Sequence, residues 1–398
     1  MRFALAVLPL AVASSLAQAN PVSNLNISGI LNGGYTVRDS EPESIGGYPL
    51  SGHGGALPEG FWLDHTELAL SGNVDDLFYG KLTTVLESHD GETELELEEA
   101  FIQTLSLPAG LGVRAGRFLA EVGYLNSKHA HTDYFADRPL PAQAFLGGHY
   151  FDDGVRLNWV APTDLYLELG AEAFAGTNFP AASGERVGAT NLFANLGGDI
   201  GSSQSWQTSL SWLQADADPD HCSADAHAHG HEEEHEGDHE GEEEHDEEHG
   251  HGIDICGFKG DRDLLVAAAV WKWAPGGNFK YQSLTVQGEF YRQDERGEMA
   301  HDDHFDQWRQ TSYGGYLSAA WQFNPNWTLG VRGSYVEPGD GYGDDKATAY
   351  DAMIQYNHSH FSTVRLQYSR EERDIGVRDD VLTLQYLMSL GDHGAHQF

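Results

Sequence analysis

The sequence predicts an all-β chain, a transmembrane antiparallel β-barrel of sixteen strands with short turns at one end and long loops at the other. Three observations predict it. Segments of roughly ten residues alternate apolar and polar from residue 25 to residue 390. The connections between them alternate short and long. After the first nineteen residues no apolar run reaches the length of a spanning helix, a requirement that membrane β-strands, with their weaker alternating signal, do not have.

Residues 1–19 read as a secretory signal: a basic Arg2, a short apolar run, and Ala17-Gln18-Ala19 as the cleavage site. The barrel then occupies 20–398. Its strands are expected at 25–37, 61–73, 77–87, 95–106, 111–118, 152–161, 164–175, 189–199, 205–215, 263–274, 280–293, 312–323, 326–336, 347–357, 361–370 and 381–390. Residues 73–76, 108–110, 161–164, 324–326 and 357–360 form tight turns, and most intervening connections are longer. A soluble sandwich needs no such parity, whereas short periplasmic turns and long extracellular loops are the outer-membrane pattern. Within strands the faces separate: Val364, Leu366 and Tyr368 oppose Thr363, Arg365, Gln367 and Ser369, and Leu382, Leu384, Tyr386, Met388 and Leu390 oppose Thr383, Gln385 and Ser389, with Leu387 breaking the polar row. Trp159, Trp212, Trp271, Trp273, Trp321 and Trp327 fall near strand ends, where aromatic girdles belong.

The polar parity predicts a charged lumen. His65, Glu67, Lys81, Glu96, Glu98, Arg114, Arg156, Glu168, Glu172, Glu289, Arg332 and Arg365 fall on it, and a charge on the lipid face would cost roughly 2–4 kcal/mol at the midplane. Sixteen strands leave an aqueous channel. The formal net charge is −40, from 62 acidic and 22 basic residues. Such a chain repels nucleic acid and anions and attracts cations.

The charge is concentrated between residues 216 and 262, the fifth long loop, where 216–254 carries 17 acids and no base. That loop also holds His221, His227, His229, His231, His235, His239, His245, His249 and His251. Imidazole and carboxylate ligate Zn²⁺ and other borderline divalent cations. Histidines two apart share one side of an extended chain, and histidines four apart meet on a helical turn. The loop has no Met and no Cys beyond Cys222 and Cys256, which argues against Cu(I) and leaves Ni²⁺, Cu²⁺ and Co²⁺ beside zinc. With few large apolar residues it builds no core. In an exported chain Cys222 and Cys256 are expected to pair and close its neck; two thiolate zinc ligands are the alternative. Further histidines fall in outward connections: His53, His89, His129, His131, His149, and the compact group His301-Asp302-Asp303-His304. His129, His131, His301 and His304 join the candidate ligands. His358, His360, His393 and His396 lie at the opposite end.

The runs Leu68-Ala69-Leu70-Ser71-Gly72-Asn73-Val74, Glu99-Ala100-Phe101 and Val113-Arg114-Ala115-Gly116-Arg117-Phe118 resemble the phosphate-selective porin group of Gram-negative outer-membrane channels. The histidine-rich loop is similar to those of outer-membrane porins and receptors produced under zinc limitation. The resemblance implies an outer-membrane location, contact with lipid, recognition by the barrel-assembly machinery through the terminal Phe398, a third long loop (119–150) folded into the barrel, and a homo-oligomer as the assembly to test. It also implies a lysine-rich constriction, from which this lysine-poor, acidic chain departs. The function expected is therefore an outer-membrane channel that concentrates and passes divalent cations, zinc foremost, loosely bound and moving down their gradient. Two alternatives stand beside it: a surface metal-sequestering receptor anchored by its barrel, and an anion porin. No nucleophile–base motif, glycine-rich phosphate loop or H-E-x-x-H site marks an enzyme.

Overall fold

The computed structural model describes residues 25–40, 57–89, 92–183, 186–218, 257–301, 304–342, 346–374 and 376–391. The signal segment, His53, the histidines from His221 to His251, Cys222, Cys256, His393, His396 and Phe398 lie outside them, as do the side chains of His89, His301 and His304.

The strands are β1 (Asn26–Arg38), β2 (Gly60–Leu63), β3 (Thr66–Asn73), β4 (Phe78–His89), β5 (Glu92–Thr104), β6 (Leu111–Leu119), β7 (Phe151–Val160), β8 (Tyr166–Phe174), β9 (Ala189–Ile200), β10 (Gln204–Ala217), β11 (Phe258–Trp273), β12 (Ser283–His301), β13 (His304–Asn324), β14 (Trp327–Glu337), β15 (Ala347–Ser359), β16 (Ser362–Arg373) and β17 (Arg378–Gly391). Each pairs antiparallel with its neighbours in sequence, and β1 pairs with β17 from Ser28↔Gly391 to Arg38↔Val381, so the sheet closes on itself. Both β2 and β3 pair with β1. They are two halves of one stave, which makes a sixteen-stranded barrel with no free edge.

The distribution of polarity is inverted relative to a soluble protein. On β17 Leu382, Leu384 and Tyr386 are exposed while Thr383 and Gln385 are buried; on β14 Val331 is 60% exposed and Arg332 6%. Hydrocarbon covers the outer face and the lumen holds the polar groups. Trp159, Trp212, Trp321 and Trp327 are exposed on the outside. Among the described residues no helix is long and apolar enough to cross a membrane.

Two strand expectations are corrected. The stave read as 61–73 is broken at Asp64-His65, and the strands read as 280–293 and 312–323 run to 301 and back from 304. In the upper part of the β12–β13 hairpin the outer face carries charged residues, Arg296 and Glu298 among them, so the apolar row that marks a membrane strand is lost and that part reads as loop. His301 and His304 pair with each other at its tip.

The connection between β6 and β7 turns inward and fills part of the lumen. Asn126 clamps its two stems: its Nδ2 donates to the carbonyls of Ala120 (2.7 Å) and Tyr150 (2.9 Å), and its Oδ1 accepts from the Tyr150 N–H (2.6 Å). Within it, helix α1 (Leu140–Leu146) is buried along its whole length and stops at Gly147, which adopts the left-handed region (φ 61°) and returns its N–H to the Gln143 carbonyl. Wall glycine Gly314 makes room for α1, since a Cβ there would stand 2.7 Å from Pro141 and 2.8 Å from Phe145.

The walls hold this loop by charge-assisted bonds. Glu289 accepts the N–H groups of Tyr124 (2.5 Å) and Leu125 (2.9 Å). Arg332 donates to Asp137 (2.8 Å) and Asp351 (2.6 Å), and Arg365 donates to the Asp133 carbonyl (2.7 Å). Arg138, itself in the loop and 1% exposed, donates to the carbonyls of Leu125 (2.9 Å) and Lys128 (2.5 Å) and pairs with Asp133 (3.1 Å). Arg138 thereby fixes the bend that presents His129 and His131 to the opposite wall.

A candidate metal centre in the constriction

Two local irregularities and one loop build the centre. The first irregularity is in the β2–β3 stave. Ile30 of β1 faces Glu67 and Gly33 faces Leu63, so three residues oppose two and one is extra. His65 takes up the surplus at φ 49°, a left-handed conformation rare for a residue with a side chain. Bulges of this kind re-aim side chains; here His65 is turned fully inward, at 0% exposure.

The second irregularity is in β5. Thr83 of β4 faces Glu99 and Thr84 faces Leu97, leaving Glu98 as the inserted residue. Leu95 and Leu97 face lipid before it, and Ile102 faces lipid after it. The slip places Glu98 and Glu99 on the inner face together, at 1% and 4% exposure. A regular strand could not do this, because adjacent side chains point to opposite faces.

His65 Nε2 lies 3.3 Å from Glu98 Oε1 and 3.8 Å from Glu67 Oε1. His129 Nδ1, arriving from the loop, lies 2.9 Å from Glu98 Oε2 and 3.5 Å from Glu67 Oε2. One ligand atom from each of His65, Glu67, Glu98 and His129 can be chosen so that all lie within 4.8 Å of one another. A tetrahedral zinc site with bond lengths near 2.1 Å has ligand–ligand edges of about 3.4 Å. The four donor atoms, all within 4.8 Å of one another, lie close to that spacing, and their mixture of imidazole and carboxylate suits a borderline divalent cation.

Three of these four donors have a further partner. His131 Nδ1 is 2.5 Å from Glu67 Oε1, His149 Nε2 is 2.9 Å from Glu98 Oε1, and His129 Nε2 is 2.9 Å from Glu99 Oε2. A carboxylate on the far nitrogen fixes the tautomer and orientation of a ligating imidazole. Burial alone would lower the pKa of His129; the carboxylates of Glu98, Glu67 and Glu99 outweigh it and raise it to about 10. Lys81, from β4, pairs with Glu99 and stands 3.0 Å from His129 Nε2.

No protein-family model matches the chain. A protein of Aquifex aeolicus (strain VF5), described only as uncharacterized, is 26% identical over 399 residues, which cover 92% of this chain and 77% of that one. Among solved structures, the outer membrane channel DcaP of Acinetobacter baumannii superposes with a TM-score of 0.56 at 12% identity, covering 92% of this chain and 97% of its own. The anion-selective porin from Comamonas acidovorans gives 0.56 at 11% identity, covering 92% and 100%, and OprB of Pseudomonas putida gives 0.56 at 12%, covering 92% and 94%. The fold is that of an outer-membrane porin.

In this barrel the remaining predicted lumen residues sit in separate clusters. Arg156 pairs with Glu172 (2.5 Å) and Glu121 (3.1 Å), and Glu168 accepts from Asn158 (2.7 Å). Arg114 donates to Gln103 (2.9 Å) and lies 4.3 Å over the Phe101 ring. Glu96 is half-buried on β5. Glu289, Arg332 and Arg365 anchor the loop. His358 and His360 lie at the β15–β16 turn, far along the wall from the constriction.

Strand parity in the sequence puts His65, Glu67, Lys81 and Glu98 on the wall, and His129 and His131 among outward-loop ligands. The structure brings these into one cluster and adds Glu99 and His149. The signal for Glu99 was present: the parity of exposed apolar residues changes from Leu95 and Leu97 to Ala100 and Ile102 across a Glu-Glu pair, which is how a bulge reads in a strand. For His149 only the infolded loop could have supplied the link.

Proposed function

We propose that this barrel is an outer-membrane channel that concentrates divalent metal cations, zinc foremost, and passes them by diffusion. The observation that carries the reading is the set of four donors from His65, Glu67, Glu98 and His129 gathered where the infolded loop narrows the lumen. Hard oxygen-only sites suit calcium and magnesium, whereas mixed imidazole and carboxylate suit zinc and its neighbours. The acidic, histidine-rich segment 216–262 supports the same reading from the sequence, as a collector that raises local cation concentration. Weak binding at successive sites allows entry and release.

Planar-bilayer recording tests this. Purified protein should form channels whose reversal potential in a ZnCl₂ gradient shows cation preference, and Zn²⁺ should interrupt a potassium current. Channels that prefer chloride would favour the anion-porin reading. Zinc binding without any zinc current would favour a sequestering receptor with the barrel as its anchor.

A further inference from the structure

Lys81 is a basic side chain set against an otherwise ligand-like cluster. It projects from β4, between the staves that carry Glu67 and Glu98, and its side chain is 23% exposed against 5% for Glu99. Its ammonium contacts Glu99 and lies 3.0 Å from His129 Nε2, the nitrogen on the far side of the ring from the one that faces Glu67 and Glu98. Lys81 therefore sits one imidazole's width from the point where a cation would be held, across the His129 ring.

We propose that Lys81 is the valence filter and release lever of the constriction centre. This rests on reading the centre as a divalent-cation site. The charge count motivates it: Glu67, Glu98 and Glu99 supply −3, Lys81 supplies +1, and −3 + 1 leaves −2. With the imidazoles neutral, as ligation requires, a bound divalent ion brings the buried cluster to zero, a monovalent ion leaves it at −1, and a trivalent ion overshoots to +1. Uncompensated charge is costly where water is scarce. The same fixed charge repels the bound ion across the His129 ring, which shortens its stay. A channel requires this, because an ion bound too tightly blocks the path it should cross. A lysine suits the task because its ammonium is a compact point charge on a flexible stem and cannot itself ligate a metal while protonated.

The test uses the full-length protein in planar bilayers, with Zn²⁺ and La³⁺ as probes of a potassium current. In wild type, Zn²⁺ should produce brief interruptions that Glu98→Gln abolishes. Lys81→Met should lengthen each Zn²⁺ interruption at least tenfold and shift the La³⁺-to-Zn²⁺ preference at least tenfold toward La³⁺. Lys81→Arg should restore both properties toward wild type, which a purely structural role for the side chain does not predict. Lys81→Gln repeats the measurement should the Met variant fail to insert. If Glu98→Gln leaves the interruptions intact, zinc does not bind at the centre, and the underlying reading falls together with the role of Lys81. If Glu98→Gln abolishes them while Lys81→Met and Lys81→Gln change neither dwell time nor valence preference, the role of Lys81 is overturned and the centre stands.

Discussion

His149 Nε2 stands 2.9 Å from Oε1 of Glu98, and this contact joins the last residue but one before β7 to the inserted residue of β5. Neither is close to the other in sequence. The contact fixes one carboxylate oxygen of Glu98 and leaves the other to His129. Removing such an orienting partner typically costs 10–100-fold in metal affinity. His149→Ala should therefore raise the Zn²⁺ concentration needed for half-maximal current interruption by that factor, with heat-modifiable gel migration unchanged. His131→Ala should act similarly through Glu67. An unchanged concentration dependence in both would place zinc elsewhere.

His129 gives the pH dependence. Its pKa is raised to about 10 by Glu98, Glu67 and Glu99, against the opposing effect of burial. The metal-free centre thus holds a proton on His129 at pH 7.5, and an arriving cation must displace it. Calorimetry in buffers of differing ionisation enthalpy should show proton release on Zn²⁺ binding at the centre, and affinity should climb as pH rises toward 10. The sign for stability is opposite. A folded-state pKa above the ordinary 6.5 stabilises the metal-free docked loop fully below about pH 6.5, and that contribution is lost as pH rises through about 10.

Arg332 is 6% exposed and serves two carboxylates, Asp137 in the loop and Asp351 in β15. Breaking a buried pair by removing one partner costs about 3–5 kcal/mol. Arg332→Ala should release the loop from this wall while the barrel persists. The expected readout is higher and noisier single-channel conductance with retained heat-modifiability. Conductance and noise equal to wild type would show that the loop does not need this anchor.

The lipid face is tested by Leu384, which is 50% exposed beside the buried Gln385. Leu384→Arg should cost roughly 2–4 kcal/mol in reversible unfolding from lipid vesicles if it lies near the midplane. A neutral result would contradict the assignment of this face to hydrocarbon.

The histidine-rich segment calls for separate measurements. Deleting residues 224–252 should leave the barrel folded, because the segment has few large apolar residues and joins two complete strands. High-capacity zinc binding should drop sharply, and uptake should fall at scarce metal more than at abundant metal. Thiol labelling of the denatured, non-reduced protein should find Cys222 and Cys256 blocked; two labelled thiols would support metal–thiolate ligation.

The barrel was readable because membrane strands impose a strict two-residue period, and a lipid face tolerates few exceptions. That constraint lapses at β2–β3, at β5 and above the belt on β12–β13, and those are the places where the reading from sequence was coarse. The wall residues His65, Glu67, Lys81 and Glu98 were legible as inward-facing, since parity carries that information. Their convergence was not. It depends on two bulges, each worth one residue, and on a loop whose position is set by Asn126, Arg138 and Glu289 through contacts spanning up to 165 residues. No periodicity encodes such contacts, because they are made by tertiary closure and not by the local pattern.

The insertion of Glu98 also bears on how such a channel could arise. Because the ladder on either side of Glu98 is regular, loss of one codon would join Leu97 to Glu99, restore the pairing with β4 and erase the ligand, while the neighbouring staves kept their places. Gain of one codon does the reverse. With the His65 bulge and the infolded loop in place, the fourth donor of the proposed centre therefore depends on a single inserted residue, whose gain or loss leaves the pairing of every other stave unchanged.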